Sequence, residues 1–179
     1  NAAIDPNAIL NTFINARATN RWGMELTYQQ NIGKYFDITP TVDLQYRKVI
    51  VDEFDLSNEG FNWEGQVIAN YRIETKKKSL FSKLSFQLMV EYESQEVTPQ
   101  GKNREQYGVD FALRKDFLKG YKASFTFNIN DVFNSKRFGN IYDTDNFYQE
   151  SFRRRNVRGF RVTFTYRFGK SDFNLFKQN

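Results

Sequence analysis

The chain of 179 residues contains no cysteine and no histidine. Without thiol or imidazole there is no Ser-His or Cys-His nucleophile pair, no histidine acid–base catalyst, and no Cys or His metal centre. The absence of cysteine also removes any disulfide framework, so thiol chemistry says nothing about the compartment. Proline is scarce, at 3 residues, and no apolar run exceeds three residues, Val49-Ile50-Val51 and Leu88-Met89-Val90 being of that kind. Runs this short exclude a transmembrane helix and the apolar segment of a secretory signal peptide. They leave open a membrane-spanning barrel, whose alternating strands give a weak hydropathy signal. No glycine-rich phosphate loop occurs.

Aromatic residues are abundant, with 19 Phe, 10 Tyr and 2 Trp. Mean hydropathy is nevertheless −0.69, so rings and charges must be segregated finely along the chain. Read in steps of two, they are. Phe160, Val162, Phe164, Tyr166 and Phe168 alternate with Arg161, Thr163, Thr165 and Arg167. The same period runs through Trp22 to Gln29, Thr41 to Arg47, Trp63 to Glu74, Leu84 to Glu93, Tyr107 to Arg114 and Tyr121 to Asn130, with a less regular segment at 9–18. This is the strand template, and it gives about eight strands, most near the length a tilted strand needs to cross a bilayer. Connections alternate between short turns at 31–35, 75–81 and 116–120 and longer polar loops at 52–61, 96–104 and 131–154. One rim of tight turns and one of long loops is expected of an antiparallel up-and-down meander in an outer-membrane barrel. The fold class predicted is therefore all-β, an antiparallel up-and-down transmembrane β-barrel, undivided over residues 1–179.

Alternation identifies an apolar face without saying whether it meets a core or lipid. Two features favour lipid. Rings gather toward strand ends, at Trp22, Tyr28, Phe36, Trp63, Tyr92, Tyr107, Phe117 and Tyr121, as an interfacial aromatic girdle requires. The opposite faces hold Glu25, Asp43, Arg47, Glu64, Arg72, Glu91, Asp110, Arg114, Arg161 and Arg167, which suits a water-lined lumen. Carboxylates interspersed with Arg over several strands read as salt-bridge networks rather than as a hydrolase, and no enzyme activity is expected.

The last third of the chain carries a more specific pattern. Asn130-Asp131-Val132-Phe133-Asn134, a polar loop with Asp145-Asn146-Phe147-Tyr148-Gln149-Glu150-Ser151 and Arg153-Arg154-Arg155, then Tyr166-Arg167-Phe168-Gly169-Lys170 resembles the carboxy-terminal end of TonB-dependent receptors and the related outer-membrane β-barrel family. Upstream, Asn15-Ala16-Arg17 and Trp22-Gly23-Met24-Glu25-Leu26 resemble turns and strands of the same barrels. The resemblance implies a parent barrel of about 22 strands in a Gram-negative-type outer membrane. Its implied partners are outer-membrane lipids, the remaining barrel strands, a plug domain and, through that plug, a TonB-type energy transducer. The function implied is uptake of a ligand, with this chain as the carboxy-terminal wall and part of the external loops. It further implies that Phe160, Val162, Phe164, Tyr166 and Phe168 form the terminal strand signal read by the assembly machinery, although residues 169–179 follow where a strict signal ends. Residues 1–6 resemble neither plug nor leader, which is expected of a carboxy-terminal portion. A complete small barrel with a structural or adhesive role, and a soluble ligand-binding barrel, are the alternatives.

Two clusters are read blandly. Arg153, Arg154 and Arg155 beside Phe152 suit anionic lipid head groups or a solvated loop better than nucleic acid, so no nucleic-acid partner is expected. Asp143, Asp145 and Asn146 lack the glycine and distant glutamate of a calcium loop, and no cofactor or metal is expected.

Overall fold

The computed structural model describes residues 17–51, 56–75, 81–144, 147–154 and 158–168. Its elements, in chain order, are β1 (Ala18–Thr27), β2 (Gln30–Ile32), β3 (Phe36–Val51), β4 (Leu56–Ile73), β5 (Leu84–Glu93), β6 (Glu96–Thr98), β7 (Gly101–Asn103), β8 (Gln106–Phe117), β9 (Ala123–Asn130), β10 (Phe138–Asp143), β11 (Tyr148–Arg153) and β12 (Gly159–Tyr166). Period-two alternation with abundant rings and β-branched residues is what a two-faced pleated sheet stabilises, and every ladder is antiparallel.

The main sheet follows the meander β1-β3-β4-β5-β8-β9-β12, with β2 continuing the outer side of β3 beyond the end of β1. Its register aligns apolar side chains in rows across the strands. One row runs Ile38, Ala69, Leu88, Phe111, Ile129, Phe160. Another runs Phe36, Tyr71, Phe86, Leu113, Phe127, Val162. These rows are not covered by protein: Tyr71, Leu88, Phe160 and Val162 are 46%, 42%, 65% and 61% exposed. Among the described residues the buried apolar side chains are Val49, Val51, Val97 and Ala123, three of them at the long-loop rim. A soluble barrel would cover its ring-rich face, and here that face is left uncovered among the described residues.

Four expectations are changed by the structure or fall outside the described residues. The meander is open among the described residues: β1 and β12 are its edges and no ladder joins them, so the closed barrel is not seen. Of the segment predicted at 9–18, only Arg17 and Ala18 fall within the described residues, and Ala18 opens β1. The loops at 96–104 and 131–154 are not plain loops. They contribute β6, β7, β10 and β11, which form a second sheet in the order β11-β10-β7-β6. The expected loop at 52–61 is mostly strand, because β4 begins at Leu56 and pairs with β3 from there.

The long β3–β4 hairpin carries this second sheet. β5 pairs with β4 only from Glu64 onward, so the part of β4 before it projects past the main sheet. The Asn58 amide donates to the carbonyls of Thr98 (2.7 Å) and Gly101 (3.0 Å), and Val97 is buried against Gly60. Gly101 is held at φ 153°, and a Cβ there would overlap the backbone carbonyl oxygen of Ile141. Backbone cannot step aside as a side chain can. Gly101→Ala is therefore expected to cost about 2–3 kcal/mol. Amide hydrogen exchange should show Ile141 and Tyr142 losing protection while the β5–β8 ladder keeps its own; unchanged protection on β10 would contradict the contact.

Candidate functional site: the polar face and its rim

Opposite the exposed rings, the same register builds a polar face. Glu25, Asp43, Glu64 and Glu93 are aligned directly across β1, β3, β4 and β5, and Gln106 of β8 extends the row. Glu91 lies in the adjacent row, opposite Gln66. The carboxylates line a cavity of about 270 Å³ with Thr41 and Gln106. Amides temper two of them: Gln45 donates to Asp43 (2.9 Å) and Gln106 to Glu93 (2.8 Å). Glu25 and Glu64 make no side-chain hydrogen bond or ion pair among the described residues.

Cations stand on either side of this row rather than within it. Toward the long-loop rim, Glu96 of β6 accepts from Arg47 (2.6 Å) and Arg21 (3.2 Å), tying the second sheet to the wall. On β5 and β8, Lys136 pairs with Glu91 and approaches Asp110 at 3.6 Å. Gly108 makes room for it, since a Cβ there would overlap the lysine side chain. Toward the short-turn rim, Asn70 donates to Asp37 (2.8 Å), Gln87 to Asn70 (2.9 Å), and Arg114 to Asp116 (2.9 Å).

The candidate lumen residues Glu25, Asp43, Arg47, Glu64, Arg72, Glu91, Asp110, Arg114 and Arg161 thus share one face by register. Arg167 lies just past β12, its amide bonded to the Lys122 carbonyl. The network does not pair those acids with those arginines. Its cations for Glu91 and Asp110 come from Lys136, and the anion for Arg47 is Glu96, both in segments predicted as loops. No sequence signal marks either, because a loop charge has no periodicity to betray its target.

The candidate girdle residues fall on the apolar side in two groups. Trp22 faces Tyr46, which faces Phe61, and Trp63 packs on Tyr92 with ring centroids 4.8 Å apart; Tyr92 in turn faces Tyr107. At the other end Phe36 faces Tyr71, and Phe117 lies 6.0 Å from Phe164. Tyr121 is in a 3-10 turn rather than a strand, under the Lys83 ammonium at 4.1 Å. Tyr28 lies between β1 and β2, its hydroxyl donating to Gln30. Phe160, Val162, Phe164 and Tyr166 project from one face of β12, and Phe168 follows it, 88% exposed.

The Asn130 to Asn134 motif is a pinned turn. Asn134 N–H donates to the Asp131 carbonyl (2.9 Å), Val132 N–H to Val109 (2.7 Å), and Asp131 N–H to the Asp110 carboxylate (2.7 Å). Asp131 and Asn134 have φ of 53° and 54°, a conformation Asp and Asn tolerate better than most residues. Of the calcium candidates, Asp145 and Asn146 lie outside the described residues, and Asp143 ends β10.

An antiparallel meander with one face of exposed rings and the other charged and open to water is the wall of a membrane β-barrel. A family model described as "Outer membrane protein beta-barrel family" matches residues 1–166. The chain belongs to that family, and it is an outer-membrane protein. No curated protein and no solved structure matches the chain.

Proposed function

We propose that the chain is the carboxy-terminal wall of a TonB-dependent receptor-like transporter in a Gram-negative-type outer membrane. It would supply lumen wall, lipid-facing belt and part of the external loops to a barrel of about 22 strands. The rest of that barrel, a plug domain and a TonB-type transducer acting through the plug are its proposed partners; its task is recognition and passage, without catalysis or cofactor.

The observation that carries this reading is the carboxylate row. Facing side chains across antiparallel strands stand about 5 Å apart. Two like charges at that distance repel by about 1 kcal/mol in water and by about 3 kcal/mol at the effective dielectric of protein. With Glu25 and Glu64 unpartnered among the described residues, the row is tolerable against water and costly in the side-chain-filled interior of an eight-strand barrel. A wide, wet lumen therefore fits the charge pattern better than a small closed barrel.

Because the chain has no native cysteine, thiol probes report cleanly. In the membrane-inserted protein, Gln87→Cys and Thr126→Cys should react with a bulky water-soluble maleimide, and Leu88→Cys and Phe127→Cys should not. Cysteine pairs between residues 9–18 and β12 should remain unlinked under oxidation. Efficient cross-linking there, or exclusion of the bulky reagent from Gln87→Cys, would instead establish a small closed barrel.

A further inference from the structure

The charges of the polar face are segregated along the strands. Toward the long-loop rim the cations are matched, Arg21 and Arg47 by Glu96 and Lys136 by Glu91. Toward the short-turn rim, Arg72 and Lys83 have no carboxylate partner among the described residues. The register sets Arg72, Ser85 and Arg114 directly across β4, β5 and β8 on this face, and the three line a cavity of about 470 Å³. Lys83, the residue before β5, and Tyr121 form a further part of its wall. Glu64 of the carboxylate row lies about 27 Å along β4 from Arg72 at ~3.4 Å per residue, beyond the screening length of physiological salt.

The cations are held with donors to spare. Arg114 uses Nε and Nη2 on Asp116 Oδ1 (3.1 and 2.9 Å), which fixes the guanidinium plane and leaves Nη1 over. Arg72 is exposed and makes no side-chain hydrogen bond among the described residues. The Lys83 ammonium stands 4.1 Å from the centre of the Tyr121 ring, an attraction that orients the charge without neutralising it. Lys83 and Tyr121 are both at positive φ, 59° and 54°, a conformation that long or bulky side chains adopt only where the surrounding structure imposes it. Glu74 and Asp116 also line the cavity, so three cations against two carboxylates leave one net positive charge. Two guanidiniums and an ammonium around a hydroxyl are the donor set that a tetrahedral phosphate takes.

We propose that this cavity binds a phosphate group, free or as the monoester of a small solute in the lumen, with Arg72, Lys83 and Arg114 as its cations and the Ser85 hydroxyl as a further donor. The inference rests on the reading of the polar face as a water-lined lumen wall. That wall would then hold an anion at its short-turn end and repel one at the carboxylate row.

The test uses the full chain in its own membrane, with Ser85→Cys as the reporter in a protein that has no native cysteine. Labelling rates are compared for two methanethiosulfonates of similar size, one bearing a sulfonate and the other a trimethylammonium group, each corrected for its rate with a free thiol. One net unit charge about 5 Å away changes each rate about fourfold in water, in opposite senses, so the sulfonate should be favoured by about tenfold or more. Arg72→Gln should bring the ratio to about one, and Glu74→Gln should raise it. Arg161→Gln, on β12 and three strands away from β5, should leave it unchanged. Gln66→Cys, beside the carboxylates, should favour the ammonium reagent instead. Inorganic phosphate and glycerol phosphate should slow labelling of Ser85→Cys and not of Gln66→Cys; whichever protects at the lower concentration shows whether the site takes free phosphate or a monoester. Heat-modifiable gel migration verifies that each variant is folded. Charge-blind labelling of Ser85→Cys, or a sulfonate preference that neither phosphate reduces, would overturn the proposal and leave the water-lined wall standing. A Ser85→Cys that neither reagent labels would remove that reading and this inference together.

Discussion

Leu88→Arg is expected to destabilise the membrane-inserted protein by about 2–4 kcal/mol, the cost of a guanidinium on the lipid face near the bilayer midplane. Leu88 is on β5, with Ala69 on one side and Phe111 on the other in the middle apolar row, and it is 42% exposed. The neighbouring Gln87 faces the polar side, where it bonds Asn70. Gln87→Arg should cost less than about 1 kcal/mol, the loss of one exposed neutral hydrogen bond. Urea unfolding from lipid vesicles, followed by Trp22 and Trp63 fluorescence, measures both. The contrast discriminates among readings, since in a water-exposed sheet Leu88→Arg would be close to neutral. Equal costs for the two substitutions would refute the assignment of faces.

The main strands and their two faces were readable because period two is a local property: six or more residues suffice to state it, and Phe160 to Phe168 states it without interruption. Register is different. That Glu25, Asp43, Glu64 and Glu93 fall in one line depends on how each hairpin turns, and slipping one strand by a residue would send its carboxylate to the apolar face. Alternation predicted the face, and only the ladders place the four in a row. The second sheet was illegible for another reason. Glu96–Thr98 and Gly101–Asn103 are three residues each, too short to show a period and polar enough to read as loop. They are strands because the projecting β3–β4 hairpin offers Asn58 and the open surface at Gly60 to pack on, a tertiary cause without a local trace. The Asn130 to Asn134 motif was visible as a pattern, yet its work depends on Lys136, two residues beyond it, and on Gly108 across the ladder.

That turn gives the second large effect. Asp131 is 2% exposed, and its carboxylate accepts from the Ser135 amide (2.8 Å), the Ser135 hydroxyl (3.0 Å) and the Lys136 amide (3.1 Å). Asp131→Ala would strip the acceptor from these donors, at about 2–4 kcal/mol for the group, and add about 1 kcal/mol for Ala at positive φ. Asp131→Gly removes the strain and keeps the lost acceptor, so it should recover only the smaller part. Loosening the turn also frees Lys136 from Glu91 and Asp110. The pH dependence has a definite sign. Burial pushes the Asp131 carboxyl up, but the hydrogen bonds from Ser135 and Lys136 and the lysine charge outweigh it and hold it below its ordinary 3.8. Its contribution is thus complete above that value and disappears as pH falls through the lower folded one. Lys136 runs the other way: burial pushes it down, Glu91 and Asp110 outweigh that and hold it above 10.5, so its contribution is complete below 10.5 and is lost as pH rises through the higher folded value. Limited proteolysis of residues 131–136 across pH should therefore show a protected plateau between an acid and an alkaline limb. In Asp131→Ala the plateau should be lowered and the acid limb reduced; an unchanged acid limb would mean that the Asp131 carboxylate does not hold the turn.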